Sequence, residues 1–269
     1  SSSLTIPGNG RLNGVFKLSD RIITSKNSGL IHRWDGFNLV DTATKLGPSS
    51  TDSFAKTEDT AFWLNRLGFF ASGGEKPQLI SNPIQRQIYN DVGEGIVGAT
   101  FDTAPGVVHR YDYLCAVGTV TDDLTDETVG NCIEKYNYQL NWWGNYTFTD
   151  FPTAFLSYKD GGGNQQLMFG AANGQCYETS GTLTTDNTAT IDTVIEFFIS
   201  GESPHNEKKW NWFTGFFNPG CEAQVQIATA NTFVKGNKKW INLGDATSGK
   251  VEYRFPEGSR SNLLFVRII

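Results

Sequence analysis

The feature that most constrains this chain is a local pattern that recurs. A short apolar strand runs into an acidic turn and a second apolar strand follows. A glycine then leads into a further strand that ends in a Gly-bearing turn. Two stretches show this clearly, Val15–Gly36 (VFKLSDRIITSKNSGLIHRWDG) and Phe54–Gly74 (FAKTEDTAFWLNRLGFFASGG). Asp20 and Asp59 take the acidic position, and Gly29 and Gly68 take the glycine position. Gln165–Gly181 is a looser third copy. Such repetition implies one sheet-like unit used several times, because a single unit cannot bury its own apolar faces.

The rest of the chain agrees with strands and turns. It holds 29 Gly and one Met among 269 residues, with 13% aromatic side chains, a composition that favours β structure over helices. Val15, Ile22, Ile23, Leu30, Ile31 and Trp34 supply buried positions of the first strands. Asp35-Gly36 and Asn173-Gly174 are tight hairpin signals. Pro83–Tyr89 has the spacing of one helical turn. Val107–Val117 reads as one strand, Thr121–Glu127 (TDDLTDE) as an acidic surface loop, and Leu140–Phe148 as an aromatic strand. From Asp192 to Ile269 the strands lengthen and alternate, with Val225 and Ile227 on one face and Gln224 and Gln226 on the other. Strand clusters of roughly 40 to 55 residues with about four strands each are the signature of propeller blades. The expected fold is all-β, a β-propeller of about five to six four-stranded blades. Residues 1–191 form the blades, and residues 192–269 form a final antiparallel β-module packed on the ring or closing it. A plain β-sandwich explains the strands, but not why Val15–Gly36 and Phe54–Gly74 resemble each other.

Chemistry-bearing motifs are sparse. The net charge of −6 and scattered basic residues argue against a nucleic-acid partner. No apolar run approaches the roughly 18 residues of a membrane span, and SSSLTIPGNG lacks the pattern of a signal peptide. Cys115, Cys132, Cys176 and Cys221 have no metal-ligand spacing and read as buried free thiols. Gly244–Lys250 (GDATSGK) has phosphate-loop spacing, but Val251 stands where a Ser or Thr is needed and an alternating strand follows, so a hairpin turn is expected. His32, His109 and His205 are far apart. Asp122, Asp123, Asp126 and Glu127 cluster on the acidic loop, while Asp20, Glu58, Asp59 and Asp160 read as turn residues. No catalytic, cofactor-binding or metal-binding residue is assigned, and no cofactor is expected. The remaining candidates are aromatic: Trp142-Trp143, Tyr136/Tyr138/Tyr146 and Trp210/Trp212/Phe213. Adjacent strand residues point to opposite faces, so one of Trp142 and Trp143 is a candidate for contact with another chain or blade.

Three stretches resemble β-propeller virion proteins of tailed bacteriophages, of tail, neck and nozzle type. They are Gly14–Asp35, Gly68–Ile84 (GFFASGGEKPQLISNPI), and Trp240–Gly244 with Tyr253–Pro256 and the closing strand Leu263–Ile269. The resemblance implies a non-enzymatic structural component of a virion, assembled in the host cytoplasm. Its partners would be other virion proteins and copies of itself, with a host-surface glycan as a further candidate. The rival expectation is a carbohydrate-recognising propeller, a lectin or a glycosidase.

Overall fold

Ala61–Asn65 (AFWLN) is buried at every position. A strand buried on both sides needs a neighbour on each face of its sheet. The computed structural model supplies them. It describes residues 6–26, 29–36, 38–43, 45–88, 96, 101–121, 128–179, 185–186, 189–190, 195–200, 208–218, 222–230, 240–247, 249–256, 260–261 and 263–269.

The chain divides into two compact units. The first, Ser1–Asp123 with Glu127–Leu183, holds four antiparallel sheets in chain order among the described residues. Sheet one joins β1 (Leu12–Leu18), β2 (Arg21–Lys26), β3 (Ile31–Trp34) and β4 (Leu39–Ala43). Sheet two joins β5 (Ala55–Lys56), β6 (Ala61–Asn65), β7 (Gly68–Ser72) and β8 (Gln78–Leu79). A 3-10 turn at Asn82–Ile84 and a one-turn helix α1 (Gln85–Ile88) follow, where Pro83–Tyr89 predicts a helical turn. Sheet three joins β9 (Gly106–His109), β10 (Asp112–Thr121), β11 (Thr128–Asn137) and β12 (Trp142–Thr147). Sheet four joins β13 (Pro152–Lys159), β14 (Gln165–Ala171) and β15 (Cys176–Glu178).

These sheets stack face to face. Leu18, Ile23 and Ile31 of sheet one pack with Ala61, Trp63 and Phe70 of sheet two. The alternate residues Phe62, Leu64 and Phe69 pack with Tyr113, Cys115, Val117 and Tyr136 of sheet three. Leu114, Ala116 and Ile133, on the other face of sheet three, pack with Leu167 of sheet four. Successive up-and-down sheets that cover one another in chain order are the blades of a β-propeller. The repeat seen in the sequence is therefore the blade itself.

The strand expected over Val107–Val117 is instead two, β9 and β10, joined at Arg110-Tyr111. Arg110 adopts φ +54° there. Tight two-residue hairpin turns favour Asn and Gly for that conformation. With Arg and Tyr in the turn, the alternation ran on without a visible break.

Blades two and three are also pinned at one edge. The Tyr113 hydroxyl donates to the Ser53 carbonyl at 2.7 Å, and the Gly106 amide donates to the Asp52 carbonyl at 2.7 Å. A Cβ on Gly106 would run into the backbone of Ser53. Gly106→Ala is expected to destabilise the fold by about 1–3 kcal/mol through this forced displacement. The check is a lower urea midpoint with an unchanged slope.

The second unit is Thr184–Ile269 with Leu124–Asp126. Its strands are β16 (Thr185–Asp186), β17 (Ala189–Thr190), β18 (Ile195–Ser200), β19 (Lys208–Lys209), β20 (Trp212–Phe217), β21 (Ala223–Ala230), β22 (Ile241–Ala246), β23 (Gly249–Arg254), β24 (Arg260–Ser261) and β25 (Leu263–Ile268). The largest sheet has the order β18-β25-β21-β22, so it is not a meander. The pairs β16–β17, β19–β24 and β20–β23 form short ribbons. Val225, Ile227, Leu264 and Val266 of the large sheet pack with Phe213, Phe217, Val251 and Tyr253 of the β20–β23 ribbon. Val225 and Ile227 point inward, as their alternation predicts. Gly244–Lys250 runs from the end of β22 into the start of β23, with Gly249 at φ +71°, but β22 pairs with β21 and β23 with β20. A strand and not a helix follows the phosphate-loop spacing, as expected, but among the described residues the expected hairpin is not formed, because each of the two strands takes its partner elsewhere in the unit.

Candidate functional site

Sheet three turns one face toward sheet four, and antiparallel register fixes what that face carries. One cross-strand row is His109, Asp112, Asn137 and Trp142. The next is Val107, Leu114, Lys135 and Gly144, and a third contains Ala116, Ile133 and Tyr146. The apolar members lie under sheet four with Phe148, Phe151 and Phe155. The members on β12 remain open, with Trp142 52% and Tyr146 43% exposed. Trp143, one residue on, faces the opposite way into the core between sheets two and three, where its indole N–H donates to the Ile80 carbonyl at 3.0 Å. Trp142 is thus the outward member of the pair.

Lys135 organises this surface. Its ammonium lies 5.2 Å from the Trp142 ring centroid and 4.9 Å from that of Tyr146. It donates to the Tyr146 hydroxyl at 2.7 Å and sits 3.7 Å from Asp112 Oδ2. The Asn137 amide donates to Asp112 Oδ1 at 2.7 Å. A cation between two rings holds both in place through their quadrupoles. Gly144 has no side chain, and the Trp142 ring lies over it. The result is a braced aromatic surface with a polar rim.

At the other end of the row from Trp142, His109 Nδ1 lies 3.2 Å from Ser157 Oγ of sheet four. Burial, then the nearby Arg110 charge, lowers the His109 pKa, with Asp112 opposing. Gln165 also donates to Ser157 Oγ, at 3.2 Å. Asp112 is held by Asn137 and Lys135, so the His–Ser contact works as a bond between blades.

The opposite face of β11 carries a different chemistry. Glu134 is 2% exposed between sheets two and three. Its carboxyl accepts from the Cys132 thiol at 3.7 Å. Burial pushes its pKa up to about 8. Burial likewise raises the thiols, Cys115 to about 12 and Cys132 well above its usual range. A carboxyl in this setting is held neutral at physiological pH.

The structure sorts the other sequence candidates. Cys115 and Cys132 are buried free thiols as expected, but Cys176 is exposed, because it lies on the short last strand of sheet four. Cys221, His205 and the Asp122–Glu127 cluster lie outside the described residues. His32 is buried on β3, with Nε2 2.9 Å from Asp41 Oδ1. Asp160 caps its own turn by accepting from the Gly162 and Asn164 amides. Asp20 lies in the turn between β1 and β2, as expected, 3.7 Å from Arg21 Nε. Tyr136 packs into the core, and Tyr138 donates to the Arg110 carbonyl. Trp210 is partly buried against Ser261, whereas Trp212 is 61% exposed. Lys135 and Glu134 escaped the sequence reading. The one available signal was Gly144, two residues after Trp142 on the same face.

No protein-family model matches the chain, and no curated protein matches it. Among solved structures it is similar to BamB from Moraxella catarrhalis, with 12% identity and a TM-score of 0.38 over 63% of this chain and 44% of that one. The chain thus spans less than half the length of BamB. It is also similar to the computationally designed Ika4 protein, with 9% identity and a TM-score of 0.39 over 64% of this chain and 92% of that one. A third similarity is to an exo-beta-1,3-galactanase from Phanerochaete chrysosporium, with 10% identity and a TM-score of 0.27 over 92% of this chain and 74% of that one.

Proposed function

We propose that the chain is a non-enzymatic structural component of a tailed-phage particle, of tail, neck or nozzle type. It acts in the virion through interfaces with other virion proteins and with copies of itself. The observation that carries this reading is the braced Trp142–Lys135–Tyr146 surface on the last strand of blade three. Trp and Tyr anchors dominate interface energetics when they are held in place before binding. Here Lys135 supplies that bracing, and stacked blades supply a rigid base. The stretches Gly14–Asp35 and Gly68–Ile84, which resemble phage propeller proteins, support the same reading.

Trp142→Ala is expected to lower incorporation into particles at least tenfold, the effect of losing an anchor worth about 2 kcal/mol. The thermal midpoint should stay near wild type, because the ring is half exposed. Mass spectrometry of purified virions complemented with either protein reads the difference. Wild-type chain absent from virions, or variant and wild type incorporated equally, would sink the proposal.

A second reading follows from one detail. The half-exposed Trp142 ring, over Gly144 and in one cross-strand row with Asn137 and Asp112, is also a stacking surface for a sugar. Glycan-array binding that is abolished by Trp142→Ala, with no virion incorporation, would replace the first reading by this one.

A further inference from the structure

β20 (WFTGFF) carries no charged residue and no proline. Among the described residues it pairs with β23 alone. Its residues alternate exposed and half-buried, with Trp212, Thr214 and Phe216 outward and Phe213, Gly215 and Phe217 inward. A cavity of about 480 Å³ is lined by Trp212 and Phe216 and also by Phe213 and Phe217, with Leu264 and Ile268 of β25 on its wall. Residues from both faces of one strand meet at only one place, the strand's edge. The edge bonded to β23 is occupied, so the cavity runs along the other, which no described strand covers.

A free, uncharged, aromatic edge is a template for another strand, and natural proteins block such edges with Lys, Pro or bulges. β20 has no such block. The charges of this ribbon, Lys250, Glu252 and Arg254, stand instead on β23, opposite Phe216, Thr214 and Trp212. Lys250 and Glu252 are paired there at 2.6 Å.

We propose that the free edge of β20 pairs antiparallel with β20 of a second copy of this chain, about a two-fold axis at Thr214. The strand is self-complementary in that register. Trp212 meets Phe216 of the second copy on the outer face, an aromatic cross-strand pair. Phe213 meets Gly215 on the inner face, a large side chain against none. Thr214 meets itself. A two-fold interface requires this kind of patch, complementary to its own copy. The pairing would also wall the cavity with the partner's rings. The inference rests on unit-two residues alone and does not depend on the Trp142 surface.

Sedimentation velocity on the full chain tests it. Wild type is expected to form a concentration-dependent dimer. Trp212→Lys with Phe216→Lys sets like charges opposite each other and should abolish the dimer. Trp212→Glu with Phe216→Lys sets opposite charges in the same places and should restore it. Both positions are exposed and stand opposite Arg254 and Lys250 of β23, so far-UV circular dichroism checks the fold, and Trp212→Glu with Phe216→Glu, which suits those two cations, should abolish the dimer as the Lys pair does. Thr214→Cys, with Cys176 and Cys221 replaced by Ser, should yield an intermolecular disulfide across the axis. A wild type that stays monomeric through the micromolar range overturns the proposal. So does a dimer insensitive to the Lys pair. Loss without rescue, or capture of an added unrelated strand peptide or glycan by a monomeric chain, assigns the edge to a different occupant and equally overturns it.

Discussion

Glu134→Gln is expected to remove a fall in stability that wild type shows between about pH 4.5 and pH 8, the ordinary and the buried pKa of this carboxyl. In the folded chain Glu134 keeps its proton up to about pH 8. In the unfolded chain it loses the proton near the ordinary value. Across that window the native state therefore binds more protons, and stability falls as pH rises. The slope is about 1.4 kcal/mol per pH unit, and the whole window corresponds to roughly 5 kcal/mol. Below the window both states are protonated and the penalty vanishes. Above it the penalty is constant.

His109 works in the opposite sense. Its folded pKa is lowered, chiefly by burial, so its contribution rises with pH through the ordinary histidine range. That term is common to wild type and variant, and it cancels in the difference. Urea titrations of both proteins across the window measure this difference directly. Parallel curves for Glu134→Gln and wild type would show that the carboxyl is already ionised in the folded state, against its burial. The residue sits at 2% exposure among Cys115, Cys132 and apolar neighbours. A substitution that keeps the shape and removes the acid should thus raise stability at pH 8, the reverse of most buried-site changes.

The second large effect concerns two adjacent residues. Phe62→Ala and Trp63→Ala are each expected to cost about 3–5 kcal/mol. Phe62 stacks on Tyr113 at 5.5 Å between centroids, in the core between blades two and three. Trp63 packs near Phe70 in the core between blades one and two, and its indole N–H donates to the Leu46 carbonyl at 2.7 Å. The Trp63 change also leaves that carbonyl without its partner. The pair tests the architecture itself. Because the two rings belong to different cores, the milder changes Phe62→Leu and Trp63→Leu should add within about 0.5 kcal/mol in a double-mutant cycle. A plain sandwich would bury one ring and expose the other, so one of the two changes would be nearly silent. Either a silent member or strong coupling would contradict blade-on-blade stacking.

Most of the fold was legible because alternation is a local property. Strand side chains change face at every residue, so AFWLN, apolar through four successive positions, announces a strand covered twice. The likeness of Val15–Gly36 to Phe54–Gly74 announces the repeat. The break at Arg110-Tyr111 was not legible, since residues that seldom take positive φ make that turn. The candidate site was half legible. Adjacent Trp142 and Trp143 had to face opposite ways, but nothing local says which one is outward. Trp143 turns inward because sheet two lies on its side.

Most of the strands, the turns at Gly29, Gly68 and Asn173-Gly174, and the repeated unit follow from the residue order alone, because each depends on neighbours a few positions away. Tertiary structure decided the rest. Lys135 and Glu134 are consecutive charged residues, alike on paper. One points to a half-open face and braces two aromatic rings, and the other points into a dry core and keeps its proton. Their difference is one of dielectric surroundings, and those are set by which sheet packs on which face.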